Sequence, residues 1–229
     1  MIYITGDIHC PIDVHKLNTR EFPQQKNMTK KDYLIICGDV GLTWYYKTDK
    51  RIKEDLYWQK WFNSKKFTTL FIDGNHENFD ILNNLEQVNM FGGKVGKVSD
   101  SIYHLKRGEI YTIEDKKFFC FGGAESIDKS KRIEKYDWWK EELPTQEELN
   151  YALANLKKHK NKVDYIISHC GSNKTQSKIQ KYNSDILSNF FDNIEDIVKF
   201  KHWYFGHHHI DKIIDEKHTV LFNVIEKIK

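Results

Sequence analysis

Five short apolar runs of this chain each end abruptly in a polar residue of the kind that binds metal or phosphate. Ile2 to Thr5 runs into Gly6-Asp7-Ile8-His9, Tyr33 to Cys37 into Gly38-Asp39-Val40-Gly41, and Thr68 to Ile72 into Asp73-Gly74-Asn75-His76-Glu77. Val163 to Ser168 is followed by His169-Cys170-Gly171, and His202 to Phe205 by Gly206-His207-His208-His209. Brevity, with β-branched or aromatic content, marks these runs as buried strands. The carboxyl ends of strands in an open α/β sheet face a common crevice where ligands bind. The pattern therefore predicts that all five groups converge.

The rest of the chain fits such a sheet. Alternating runs at Ile102 to Leu105, Glu109 to Ile113, Lys117 to Phe121, Lys212 to Asp215 and Thr219 to Val224 read as antiparallel strands, with a hairpin-rich middle from about 88 to 124. Helical spacing appears in 48–64, where Ile52, Leu56, Trp58, Trp61 and Phe62 recur, in 145–159 and in 184–200. Thr145 with Glu148 three residues on predicts a capping box. Strands alternating with helices predict an α/β fold with mixed sheets, and no linker or repeat divides it, so residues 1–229 read as a single domain.

Composition narrows the classes. With 39% hydrophobic and 30% charged residues the chain is neither disordered nor fibrous. Its 36 basic against 33 acidic residues leave a formal charge of +3, which neither demands nor excludes nucleic acid. Cys10, Cys37, Cys120 and Cys170 form no C-x-x-C pair and read as reduced thiols. No basic leader or run of roughly 20 apolar residues is present, so the expected location is cytoplasmic, without membrane contact.

Carboxylate, imidazole and amide oxygen together suit divalent Mn, Fe, Zn, Co or Ni. In extended segments, Asp7 and His9 would project to one side, as would His207 and His209. Any one group alone would read as a turn or cap residue; the five together argue for a centre of two ions that share a carboxylate, clamp a phosphate and activate water. That predicts phosphoester hydrolysis.

The order D-x-H, G-D, G-N-H-E, H, G-H-x-H resembles the calcineurin-like metallophosphoesterase superfamily, and its local blocks are similar to small bacterial and phage metallophosphoesterases of undefined substrate. The resemblance implies a four-layer α/β/β/α sandwich with two mixed sheets and a dinuclear centre. Asp7, His9, Asp39 and His209 would hold one ion; Asp39, as bridge, with Asn75, His169 and His207 would hold the other. A bridging hydroxide would attack phosphorus, and His76 would protonate the leaving oxygen. The chain departs from the protein Ser/Thr phosphatases of the superfamily, whose G-D-x-x-D-R-G falls on Leu42 and Thr43 here and whose further Arg falls on Phe79. Phosphomonoesters, phosphodiesters and nucleotides therefore all stand as substrates. A nuclease acting on DNA or RNA is the alternative, and a non-catalytic metal-binding scaffold a third reading.

Lys129 and Arg132, after Gly122-Gly123, read either as substrate-binding cations or as a solvated basic loop. Trp44, Tyr45 and Tyr46 read as a stacking wall for a base or as packing. Cys10, where most relatives carry Gly, is expected to pack beneath the centre, and His208 to be exposed or behind the ligands. Oligomeric state is not legible.

Overall fold

The computed structural model describes residues 1–181 and 183–229. Its first half runs β1 (Ile2–Thr5), β2 (Tyr33–Ile36), α1 (Ile52–Asn63), β3 (Thr68–Phe71), α2 (Phe79–Leu82), β4 (Glu86–Met90), β5 (Gly93–Ser99) and β6 (Ile102–Leu105). The second half runs β7 (Glu109–Ile113), β8 (Lys116–Phe121), α3 (Gln146–Lys158), β9 (Tyr165–Ser168), α4 (Asn173–Gln176), α5 (Ile186–Ile197), β10 (His202–Phe205), β11 (Lys212–Asp215), β12 (His218–Val220) and β13 (Glu226–Lys227). They make two mixed sheets, ordered β13-β1-β2-β3-β6-β5-β4 and β11-β12-β10-β9-β8-β7.

Side-chain alternation sorts each strand between two layers, because successive residues point to opposite faces. Ile2 and Ile4 of β1 join Tyr165 and Ile167 of β9 in the core between the sheets, with Leu70, Phe118 and Tyr204. Tyr3, Leu34 and Ile36 turn outward and pack with Phe62 of α1, Leu17 and Phe22. Ile166, Phe121 and Phe205 turn outward on the other sheet, against Leu149 and Leu156 of α3 and Phe191 and Ile194 of α5. Each such fully buried side chain stabilises the fold by roughly 1.5–3 kcal/mol. The result is the α/β/β/α sandwich, and among the described residues no helix is long and apolar enough to cross a membrane.

β1, β2 and β3 run parallel, as do β9 and β10, so five carboxyl ends gather at one rim of the sandwich, three from one sheet and two from the other. The capping box at α3 forms with both halves in place, Glu148 N–H donating to Thr145 Oγ1 at 3.2 Å and Thr145 N–H to Glu148 Oε2 at 2.8 Å.

Three strands expected to be antiparallel, β6, β8 and β12, each also pair in parallel, with β3, β9 and β10, and two further elements differ from expectation. The apolar run Thr219 to Val224 does not continue as one strand: β12 stops at Val220, and the chain turns through an Asp211-bound loop before β13 joins the other sheet beside β1. On α1 the inward positions are Phe62 and Asp55, while Leu56 is exposed. The Asp55 carboxylate faces inward because its Oδ2 accepts hydrogen bonds from the backbone N–H groups of Trp44 and Tyr45, both at 2.8 Å.

Candidate metal centre

The two carboxylates at the strand ends are buried, Asp7 at 0% and Asp39 at 2% exposure. Burying an ionised carboxylate is costly unless it meets positive charge or hydrogen-bond donors. Both groups meet them. Asp7 Oδ1 accepts the His207 backbone N–H at 3.0 Å, and its Oδ2 lies 3.3 Å from His209 Nε2. Asp39 Oδ1 accepts the His76 backbone N–H at 2.8 Å. Its Oδ2 lies 3.1 Å from His9 Nε2 and 3.5 Å from His169 Nε2, so one oxygen faces imidazoles from both sheets.

The other ligand types close the ring. Asn75 Oδ1 sits 3.1 Å from His169 Nε2 and 3.1 Å from His207 Nδ1. Asp7, His9 and His209 each offer a ligand atom within 4.8 Å of one another, and so do Asp7, Asp39 and His169. All seven residues named from the sequence are thus brought together.

Electrostatics shows what the cluster is suited to hold. Burial opposes charge on His9 and His169, yet the Asp39 and Asp7 carboxylates outweigh it and raise these imidazoles to about 9 and about 10. His207 goes the other way, lowered to about 3 by burial and by neighbouring His169. Buried carboxylates whose field drives protons onto adjacent imidazoles create a place for cations. The oxygen and nitrogen donor set fits divalent transition metals.

The backbone that delivers these groups is not the extended one expected of D-x-H and H-x-H. His9, His207 and His209 have φ of 38°, 69° and 50°, and Asp39 has 50°, all left-handed. Such angles are uncommon outside glycine and cost of order 1–3 kcal/mol each where the surrounding structure imposes them. The strand-end glycines permit close approach. A Cβ on Gly206 would fall 2.2 Å from Asp7 Oδ1, and one on Gly74 would fall 1.9 Å from Asp39 Oδ1.

A second ring of side chains, not legible as functional in the sequence, fixes the first. His9 Nδ1 is 2.9 Å from Asp13 Oδ2, and His169 Nδ1 donates to the Cys37 carbonyl at 2.6 Å, which turns Nε2 of each ring toward the centre. Asn75 Nδ2 donates to Ser126 Oγ at 3.0 Å, and Ser126 Oγ donates to Glu142 Oε2 at 2.6 Å. Lys16 Nζ, buried and lowered to about 8 by that burial, donates to the carbonyls of Asp7 at 2.6 Å and of Phe222. Glu77 accepts the Val40 N–H at 2.9 Å and is pushed up to about 8 by burial and by Asp39.

His76 lies at the open side, its ring 6.0 Å from that of His9, and burial lowers its pKa. Arg132 stands close enough for its charge to be felt there, while binding Asp128 at 2.8 Å and the Asp137 carbonyl at 3.2 Å. Lys129 is turned to Glu125 in an i,i+4 pair. Trp44 packs edge-on to Trp139 at 5.6 Å, and Tyr46 donates its hydroxyl to Asp80, so of the three aromatics Trp44 and Tyr45 border the cavity beside His76. Cys10 packs on the apolar layer under α1. His208 is half-buried against Phe205 and His207, and its Nε2 is sealed without a partner among the described residues.

Among curated proteins none matches the chain. A family model described as calcineurin-like phosphoesterase matches residues 1–211. That stretch holds all five strand-end groups and the strands β1 to β10, leaving β11, β12 and β13 outside the match. By that match the chain belongs to the calcineurin-like phosphoesterase family.

Proposed function

We propose that this metal-dependent phosphoesterase uses two divalent cations, one held by Asp7, His9, Asp39 and His209 and the other by Asp39, Asn75, His169 and His207, on one domain spanning the chain. The observation that carries the reading is Asp39 Oδ2, placed 3.1 Å from His9 Nε2 and 3.5 Å from His169 Nε2, as a shared ligand requires. Cations bound there supply charge against the phosphate oxygens and lower the pKa of water.

The residues of the chain do the rest. The seven ligands orient the phosphoryl group at the rim of the sheets, and His76 stands at its open side. Water attacks phosphorus in line, the bond to the leaving oxygen breaks, and His76 Nε2 or Nδ1 gives that oxygen a proton. Burial keeps the free His76 ring neutral; the negative charge of bound phosphate favours its protonated form, so the acid is made when substrate arrives. Arg132 follows the 3-10 turn at 129–131 and is the better of the two candidate cations for contacting substrate, since its charge is felt at His76, although both cations are ion-paired, Arg132 with Asp128 and Lys129 with Glu125.

The test is hydrolysis of p-nitrophenyl phosphate and bis-p-nitrophenyl phosphate by metal-stripped protein refilled with Mn, Fe, Zn, Co or Ni, beside His76→Ala. Turnover that needs metal and falls about 10²–10⁴-fold in the variant supports the reading. Absence of turnover with every metal overturns it.

A further inference from the structure

A cavity of about 220 Å³ opens directly beside His9 and His76. Trp44, Tyr45, Trp58 and Pro11 line it, with the carboxylates of Glu54 and Asp55 from α1. Its volume is below the roughly 300 Å³ of pockets that hold a whole drug-sized ligand. It is sized for one ring system.

The lining chemistry is specific. Flat aromatic walls favour a planar group through burial and stacking. No lysine or arginine lines the cavity among the described residues, and two carboxylates do, so a second phosphate is repelled. Asp55 is 3% exposed, and its Oδ2 is fully used by the N–H groups of Trp44 and Tyr45. Among the described residues its Oδ1 receives no hydrogen bond, and that atom is not sealed from solvent, so it is open to a donor. Burial, with Glu54 and Asp49 nearby, raises Asp55 to about 6, so it remains an acceptor at neutral pH. A planar group that brings N–H donors would complement this lining.

We propose that this cavity seats the organic part of the phosphoester and selects a flat heteroaromatic ring carrying an amino group, the chemistry of an amino-bearing nucleobase. This rests on the phosphoesterase reading of the adjoining centre. Phosphate held at His76 would then place the ring between Trp44 and Trp58, and the enzyme would prefer nucleotide esters over simple alkyl or aryl esters.

Calorimetric titration of the full-length protein, metal-free and Mn-loaded, with adenosine and with purine riboside tests it, because purine riboside keeps the ring and sugar and lacks the amino group. Adenosine should bind at least tenfold more tightly, compete with bis-p-nitrophenyl phosphate, and lose at least tenfold in affinity in Trp58→Ala. In Asp55→Asn the difference between the two nucleosides should collapse. Equal affinity of the two nucleosides for the unaltered protein, or no binding of adenosine, overturns the proposal. Ester turnover without adenosine binding rejects the cavity assignment alone; adenosine binding without turnover under any metal rejects the phosphoesterase reading alone.

Discussion

The Asn75 side-chain amide donates to Ser126 Oγ at 3.0 Å, and this contact decides which end of the amide faces the centre. Ser126 is itself held by Glu142, which accepts its backbone N–H at 2.9 Å and its hydroxyl at 2.6 Å. A hydroxyl already committed as donor can only accept from Asn75, so Asn75 must present Oδ1 to His169 and His207. Ser126→Ala removes that constraint. Metal affinity should fall about 10–100-fold, read by calorimetric Mn titration. Unaltered affinity would show that the ring of imidazoles orients Asn75 alone.

Gly206 admits no side chain. With its Cβ 2.2 Å from Asp7 Oδ1, Gly206→Ala must displace either the Asp7 carboxylate or the 206–209 turn. Metal binding should be lost, while far-ultraviolet circular dichroism retains both sheets. Gly92→Ala serves as the control, since nothing lies within 4 Å of a Cβ there, although its φ of 86° carries local strain. Full metal affinity in Gly206→Ala would refute the close-approach argument.

Arg107 neutralises a carboxylate behind the centre. Its guanidinium donates to Asp73 Oδ2, with Nε at 2.7 Å, and to the Glu141 carbonyl at 2.9 Å, while His104 Nε2 lies 3.0 Å from Asp73 Oδ1. Asp73 is buried, so removing the guanidinium strands a charge. Arg107→Ala should cost about 3–5 kcal/mol, measured by urea unfolding at neutral pH. Breaking the exposed pair Lys174 and Asp196, at 2.6 Å, should cost far less. Comparable losses at the two sites would contradict the burial argument.

Asp55 gives a pH signature with a fixed sign. Its pKa is raised by burial to about 6 in the fold, against about 3.9 in an unfolded chain. The unfolded state therefore ionises first, and stability contributed by this residue falls as pH rises from about 4 to about 6, by roughly 2–3 kcal/mol. Asp55→Asn keeps an oxygen for the N–H groups of Trp44 and Tyr45 but cannot ionise. The stability difference between variant and parent should shift in favour of the variant across that window and stay level above it, in urea unfolding at pH 4, 5, 6 and 7.5. A difference independent of pH would mean Asp55 is not buried in solution.

The sequence carries the ligands plainly because each follows a strand, and strand ends converge by the geometry of parallel sheets. It carries the layers too, since the alternation of Ile2, Tyr3 and Ile4 already divides them between inner and outer faces. The supporting side chains are another matter. Ser126 and Glu142 act on Asn75 only because a loop after β8 folds back across β3, a contact 51 residues apart along the chain. No periodicity records that. Asp55 is hidden because the spacing of α1 marks its apolar residues, although Leu56 is exposed and the acid faces in. The β4–β5 hairpin is legible only as part of a hairpin-rich region: β4 is an edge strand whose residues are half-buried or exposed, and its polarity hides the usual strand signal. The left-handed turns at His9, His207 and His209 were likewise hidden, since histidine does not advertise positive φ as glycine does.

Three of the strand ends that build the centre belong to one sheet and two to the other, with a buried apolar layer between them. The ligand cluster is therefore a rivet through two plates. Sliding one plate against the other would change the spacing between Asp39 and His169 before it disturbed a single hydrogen bond within either sheet. Faithful catalysis in such a molecule depends on a core that takes no part in the chemistry, in which Ile4 and Leu70 of one sheet pack in one cluster with Phe118 and Ile167 of the other.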